Sequence, residues 1–137
     1  MNHEIKFKAW DKQRKKIFEV SNLGFNTVER DIMVSVQDHH YQGRGYIDNY
    51  ELMQYTGLKD VNGIEIFEGD IVKNNFMCPE ITKKKSNIGV IEWTDGNYML
   101  YCKEEDRYTY LTCHITNKEF EVLGNIYANP ELLEESE

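Results

Sequence analysis

The sequence predicts a mostly β protein, with an N-terminal β-rich region followed by a small SH3-like β-barrel; an α+β fold is the alternative. Three observations predict this class. Apolar residues alternate with polar residues at a period of two, which is typical of strands with one buried face. Nine glycines and only two prolines separate short apolar runs. Five of these runs follow one another after residue 70 at intervals of roughly ten residues, as in small barrels and sandwiches.

The N-terminal region, residues 1–56, begins with a predicted hairpin. Residues 5–9 alternate apolar with basic side chains and form a strand that ends at Trp10. Residues 11–13 are polar and predict a turn, after which residues 16–20 return as the second strand.

The rest of this region is less regular. Residues 32–36 alternate again and predict a third strand, and residues 50–56 predict a fourth. Between them, residues 38–45 are polar and contain two glycines, so we expect a loop. Residues 22–31 are the one stretch here whose pattern favours a helix.

A turn-rich connector, residues 57–69, separates this region from the predicted barrel at residues 70–127. Asn62-Gly63 is a strong signal for a tight turn, because both residues tolerate a positive φ. Gly57 and Gly69 are further breakpoints, and Asp70 directly precedes an apolar run. Closure into a barrel would remove the open edges that short strands otherwise present. The five strands are predicted at residues 71–73, 88–93, 98–102, 108–113 and 120–123. 

An acidic C-terminal tail, residues 128–137, follows the barrel, with one helical turn expected at residues 131–135. The whole chain has 16 basic and 24 acidic residues and a net charge of −8. Residues 1–16 carry six basic and two acidic side chains, whereas residues 119–137 carry six acidic side chains and no basic one. Nucleic-acid binding draws much of its affinity from basic side chains on phosphates, so the overall charge disfavours it.

The sequence contains no motif for catalysis, metal binding or cofactor binding. Cys102, Cys113 and His114 are neighbours in the predicted sheet, but no Cys-x-x-Cys pair supplies the spacing of a zinc site. The loop that begins at Asp60 lacks the glycine and glutamate positions of a calcium loop. Nucleophile elbows and phosphate-binding glycine loops are missing as well. We therefore expect a non-enzymatic, metal-free and cofactor-free protein.

Cysteine usage and hydropathy predict the compartment. Three cysteines without an export signal predict reduced thiols and a cytoplasmic location. No apolar run approaches the roughly 20 residues of a membrane-spanning helix, so no membrane partner is expected.

Aromatic residues of the predicted barrel are the candidate binding surface. They offer a platform for stacking, next to the basic cluster Lys83, Lys84 and Lys85. Packing in the core or at its rim is the alternative explanation, because aromatic residues favour strands in any case. The aromatic members of this candidate surface are Trp93, Tyr98, Tyr101, Tyr108 and Tyr110.

One segment carries a family resemblance. The stretch 52–72, with Leu52-Met53-Gln54-Tyr55-Thr56-Gly57-Leu58-Lys59-Asp60, Asn62-Gly63 and Glu65-Ile66-Phe67-Glu68-Gly69-Asp70-Ile71-Val72, resembles the signature of the YopX family of phage and prophage proteins. Residues 5–11, 89–93 and 122–133 are similar to further parts of the family pattern. In this signature Gly57, Asp60, Asn62, Gly63, Gly69 and Asp70 are structural, since they form turns between core residues.

The resemblance implies a small protein that is cytoplasmic during infection, and it implies no catalytic or metal residues. The first hypothesis is therefore a phage or prophage accessory protein that binds macromolecules. The alternatives are a nucleic-acid-binding module that uses the aromatic face and the basic patches, and an acidic inhibitor of a host defence protein. We also expect a homo-oligomer, because short strands leave edges that a second copy can cover.

Overall fold

In the computed structural model, antiparallel strands dominate the part of the chain that the structure describes, namely residues 4–74, 88–102, 107–110 and 120–134. Residues 107–110 and 134 are described by their backbone alone. Contacts within the chain divide it into two compact units, Met1–Gln54 and Tyr55–Glu137. The mostly β class is confirmed, and the α+β alternative is not needed.

The first unit contains five antiparallel strands, of which the fifth continues into the second unit: β1 (Phe7–Asp11), β2 (Lys16–Asn26), β3 (Asp31–Gln37), β4 (Gln42–Tyr46) and β5 (Tyr50–Lys59). Their order in the sheet is β4-β3-β2-β1-β5, and a sixth strand, β6 (Glu65–Phe67), ends the order beside β5. A short 3-10 helix, Ile47–Asn49, precedes β5. The predicted hairpin is present, because Ala9 of β1 pairs with Phe18 of β2.

The predicted helix at residues 22–31 is wrong. Strand β2 continues to Asn26, and Phe25 pairs with Ile32 on β3. The turn that follows is fixed by the side chain of Asn26, whose carbonyl oxygen accepts hydrogen bonds from the backbone N–H groups of Val28 and Glu29 at 3.0 and 3.1 Å. An Asn at a strand end forms such turns readily, so the polar residues mark a hairpin and not a helix.

The predicted loop at residues 38–45 is wrong in its second half, where β4 pairs with β3. The glycines here serve close packing. A Cβ atom on Gly43 would come within 2.6 Å of the ring of Tyr41, and one on Gly45 within 3.4 Å of the ring of Tyr50. Two aromatic rings therefore lie directly on the backbone of β4, close to the core of this unit. That core consists of Ala9, Phe18, Val34, Val36 and Tyr50.

In the second unit, the end of β5 pairs with the short strand β6 (Glu65–Phe67). A five-stranded antiparallel sheet follows, formed by β7 (Asp70–Asn74), β8 (Ile88–Thr94), β9 (Asn97–Cys102), β10 (Arg107–Tyr110) and β11 (Phe120–Asn125). Its strand order is β10-β9-β8-β7-β11. Each of these strands lies at a predicted position, and residues 111–113 of the predicted fourth strand lie outside the described residues. The helix α1 (Glu131–Glu134) forms the predicted helical turn.

The predicted SH3-like closure is not confirmed. In the strand order, β10 and β11 are the two ends, and no pairing joins them within the described residues. Closure requires hydrogen bonds between the first and the last strand of the order. One face of the sheet covers the core of this unit, which consists of Ile66, Val72, Ile91, Leu100, Cys102 and Phe120.

Candidate binding surface

The hairpin between β8 and β9 carries two of the predicted aromatic residues. Its strands pair Trp93 with Tyr98 and Thr94 with Asn97, leaving a two-residue turn. Asp95 and Gly96 form this turn with φ values of 52° and 80°. Positive φ at both central residues is what a type I′ hairpin turn requires, and Asp-Gly is a favoured sequence for it. The local sequence therefore fixes the register that brings the two aromatic rings together.

The rings of Trp93 and Tyr98 contact each other edge to face. Their centroids lie 4.7 Å apart, and the ring planes meet at 70°. Tyr98 is half-buried and packs against the core, whereas Trp93 is 56% exposed. A large aromatic side chain is thus held in a fixed orientation and remains accessible.

An acidic side chain, Glu68, lies beside this pair. The backbone N–H of Gly69 donates a hydrogen bond of 2.8 Å to the carbonyl of Ile91, which places the preceding residue, Glu68, next to strand β8. The pKa of Tyr98 is raised, first because burial disfavours the phenolate and second because Glu68 repels the phenolate charge. We call Glu68, Trp93 and Tyr98 the hairpin surface.

The other predicted aromatic residues do not all share this surface. Tyr101 is three residues from Tyr98 on β9, so the two side chains lie on opposite faces of the sheet. Tyr108 pairs with Tyr101, and Tyr110 pairs with Met99; only the backbone of these two tyrosines is described. Tyr98 and Tyr101 therefore cannot belong to one stacking platform. The basic cluster Lys83, Lys84 and Lys85 lies outside the described residues.

The signature residue Asp60 is a buried structural carboxylate. It is 5% exposed. Its Oδ1 accepts hydrogen bonds from the backbone N–H groups of Asn62 and Ile64, both at 2.8 Å. Its Oδ2 accepts one from the N–H of Val122 at 2.9 Å. Gly63 completes the turn with a φ of 81°. Asp60 thus connects the Asn62-Gly63 turn to strand β11.

The remaining signature residues also have structural roles. Asp70 accepts a hydrogen bond of 2.8 Å from the N–H of Phe67 through its Oδ2 and so closes the turn between β6 and β7. Gly69 within that turn has a φ of 87°, and Gly57 in β5 has a φ of 89°. In this region of φ an L side chain is strained, so glycine is required. These signature residues therefore stabilise turns of the fold.

The basic N-terminal segment is largely neutralised. Asp38 illustrates the effect: the hydrogen bond from Lys16, together with one from the backbone N–H of His40, lowers the pKa of its carboxyl to about 2. Among the described residues, at least four of the six basic side chains of residues 1–16 form ion pairs within the first unit: Lys6–Glu4 at 3.4 Å, Lys12–Glu51 at 3.2 Å, Arg14–Asp11 at 3.3 Å and Lys16–Asp38 at 2.8 Å.

The net charge is confined to one unit. Residues 1–54 contain eight basic and eight acidic side chains and are neutral, whereas residues 55–137 contain eight basic and 16 acidic side chains and carry the full −8. The hairpin surface belongs to the acidic unit.

Across the described ranges, His, Cys, Asp and Glu side chains form no group of three or more that could hold a metal ion. Cys102 is a buried cysteine. Cys78, Cys113 and His114 lie outside those ranges. No helix within them has the length and apolar character needed to cross a bilayer.

Residues 6–134 match the sequence pattern of the YopX protein family. The chain belongs to the YopX family. The predicted resemblance is confirmed, and it extends over nearly the whole chain instead of the shorter segments from which it was inferred.

Two solved structures share the fold of this YopX-family chain. Protein EF1440 from Enterococcus faecalis is 26% identical, with a TM-score of 0.60 over 96% of this chain and 99% of that one. The protein yopX from Bacillus subtilis is 20% identical, with a TM-score of 0.60 over 93% of this chain and 97% of that one. At 20% identity, the similarity to the Bacillus subtilis protein shows a shared fold only. A search of curated proteins finds no match.

Proposed function

We propose that this YopX-family chain is a non-enzymatic phage or prophage accessory protein that acts in the cytoplasm by binding a macromolecule through the hairpin surface. The observation that carries the proposal is the exposure of Trp93, a large aromatic side chain that packing against Tyr98 holds in place. Tryptophan and tyrosine dominate the binding energy of protein interfaces, because they bury much apolar area and lose little side-chain entropy. A fixed and accessible Trp-Tyr pair is therefore suited to a protein partner.

The pairing of the basic side chains disfavours the nucleic-acid alternative. Phosphate binding by residues 1–16 would have to displace the ion pairs of Lys6, Lys12, Arg14 and Lys16, which the first unit already satisfies. Nucleic-acid binding would also fall steeply with salt. A filter-binding titration at low and high salt tests this alternative directly, and salt-sensitive binding of DNA or RNA would revive it.

One observation supports the inhibitor hypothesis as a second candidate. The whole excess of acidic residues lies in the unit that carries the hairpin surface. Such a charge attracts a basic partner and accelerates association. An acidic protein that blocks a basic host defence protein is consistent with this distribution.

The test compares capture by the wild-type protein with capture by two variants, in extracts of cells that carry its gene. Trp93→Ala removes the exposed ring of the hairpin surface. Val28→Ser is the matched control, because Val28 is 89% exposed and lies in the other unit. We expect Trp93→Ala to lower recovery of the specific partner at least about tenfold, the size of a typical hot spot, and Val28→Ser to leave it unchanged. Equal recovery by wild type and Trp93→Ala, with both proteins folded by circular dichroism, would contradict the proposal.

Self-association stays a proposal of its own. Within the described part of the chain, β4, β6, β10 and β11 are at the ends of the two strand orders and could offer main-chain groups to a second copy. Opposite charges on residues 1–16 and on the acidic tail could also attract two copies, but most of those basic side chains are paired within their own unit. Sheet edges are therefore the better candidates for contact between copies.

A further inference from the structure

The hairpin surface combines the two features that proteins use to bind an organic cation. An electron-rich aromatic face attracts a cation placed over it, and tryptophan does so most strongly. A carboxylate close to that face supplies the opposite charge. Trp93 offers the exposed ring, and Glu68 lies beside the strand that carries it.

The backbone that carries these residues is held in place before any ligand binds. Tyr98 contacts Trp93 edge to face at 4.7 Å and is packed against the core. The turn that contains Glu68 is tied to β8 by the hydrogen bond from Gly69 to Ile91, and to the chain after β11 by the hydrogen bond of 2.9 Å from the N–H of Ile126 to the carbonyl of Gly69. A preformed site loses little entropy when it binds a ligand.

The net charge of the second unit indicates the charge of the partner. Residues 55–137 carry a net charge of −8, so long-range attraction favours a basic segment. Among basic side chains, arginine fits this surface best. Its planar guanidinium stacks on an indole ring and at the same time donates hydrogen bonds to a carboxylate, whereas the compact ammonium of lysine does not stack.

From these observations we propose that Glu68, Trp93 and Tyr98 form a subsite for an arginine side chain of a basic protein segment. This inference rests on the proposed function and specifies the chemistry of the partner. The guanidinium stacks on the exposed face of Trp93 and pairs with the carboxylate of Glu68, while Tyr98 holds the indole in position.

The experiment uses the full chain, labelled with 15N, and two capped peptides, hexa-arginine and hexa-citrulline. Citrulline has nearly the shape of arginine but no charge. The sequence contains two tryptophans, so the NMR spectrum should show two indole N–H signals, and Trp93→Phe assigns them. Trp10 lies in the first unit and serves as the internal reference. A salt concentration near 0.15 M screens charges more than about 8 Å apart, which limits the contribution of distant acids.

Glu68→Gln and Glu92→Gln are the matched variants, since each removes one negative charge. Glu92 precedes Trp93 on β8, so its side chain lies on the opposite face of the sheet. We expect hexa-arginine to shift the indole signal of Trp93 and not that of Trp10, and hexa-citrulline to shift neither. Glu68→Gln should raise the Kd for hexa-arginine about fivefold, the effect of losing roughly 1 kcal/mol of ion pairing, whereas Glu92→Gln should leave it nearly unchanged.

Three results would overturn the inference: no shift of the Trp93 signal, an equal shift with hexa-citrulline, or equal weakening by Glu68→Gln and Glu92→Gln. These results are distinguishable from a failure of the proposed function. If Trp93→Ala abolishes capture of a partner but hexa-arginine leaves the Trp93 signal unchanged, the hairpin surface binds a macromolecule and the assignment to arginine is wrong. If neither experiment gives a signal, both proposals are wrong.

Discussion

Replacement of Asp60 by asparagine should destabilise the protein, because this carboxylate accepts three backbone hydrogen bonds from two distant parts of the chain. Oδ1 accepts hydrogen bonds from the N–H groups of Asn62 and Ile64, and Oδ2 accepts one from the N–H of Val122. An asparagine retains one oxygen, but its amide nitrogen is a donor. In either orientation of the amide, a donor faces a backbone N–H group, so at least one of these hydrogen bonds is lost at a site that is 5% exposed.

The size of the effect follows from the kind of bond that is lost. Hydrogen bonds to a charged acceptor contribute about 1.5–3 kcal/mol each, and a buried donor without an acceptor costs about 1–3 kcal/mol. Asn62 and Ile64 are exposed, so their N–H groups can bind water when the Asp60 acceptor is lost, whereas Val122 is half-buried. We therefore expect Asp60→Asn to lower the free energy of unfolding by about 2–4 kcal/mol, which corresponds to a fall in Tm of about 10 °C for a protein of this size.

Urea denaturation followed by circular dichroism measures this change. Asp95→Asn is the matched control, because it makes the same chemical replacement at an exposed hairpin turn whose φ of 52° asparagine tolerates. The control should change the stability by no more than about 0.5 kcal/mol. Equal midpoints for Asp60→Asn and Asp95→Asn would show that the Asp60 contacts do not stabilise the fold, and the structural interpretation of the signature would be wrong.

The other predictions concern an ion pair, a close backbone contact and assembly. The pKa of Asp38 lies at about 2, below the usual 3.8. The ion pair of Asp38 therefore contributes fully to stability above about pH 4, and this contribution is lost as the pH falls through 2. Lys16→Met should raise the pKa of this carboxyl toward 3.8 in an NMR titration, and an unchanged pKa would contradict the assignment. Gly89→Ala should lower the free energy of unfolding by about 1–3 kcal/mol, because the new Cβ would lie 2.8 Å from a backbone carbonyl carbon on β9. Gly24→Ala is the control: its new Cβ would have its nearest neighbour at 3.9 Å, so the same urea titration should show almost no change in stability. Light scattering should give a mass above the 16.2 kDa of one chain, and a mass of one chain at all concentrations would exclude self-association.

The parts of the fold that the sequence predicts well are those governed by local chemistry. Strands β8 and β9 alternate aromatic and β-branched residues around Asp95-Gly96, a pair suited to a two-residue turn. The pattern therefore determines both the strands and their register. The turns at residues 52–72 were also predictable, because the glycines of this segment lie where the backbone adopts a positive φ.

The two errors in the first unit arise from long-range packing. The glycines Gly43 and Gly45 resemble loop signals, but they lie in a strand because Tyr41 and Tyr50 pack on them. Residues 22–31 alternate weakly, and it is the pairing with β3 that extends β2 to Asn26. In both places, tertiary contacts outweigh the local preference.

The candidate surface was predictable in part. Alternation along β9 alone separates Tyr98 from Tyr101, so the sequence contained the reason why the five aromatic residues do not form one platform. The proximity of Glu68 to Tyr98 depends instead on a turn contact between β6–β7 and β8. Similarly, Asp60 and Val122 are 62 residues apart and meet only in the folded chain.

Site-specific photo-crosslinking tests the central claim, that this protein binds a macromolecule through the hairpin surface, most directly. A benzophenone amino acid is placed at the exposed position 97, next to Tyr98, and, in a second protein, at the exposed position 29 of the other unit. Both proteins keep Trp93 and are irradiated in cells that carry the gene. We expect one saturable adduct with a macromolecule from position 97 and none from position 29. Uncrosslinked protein alone from position 97, or the same set of adducts from both positions, would contradict the claim.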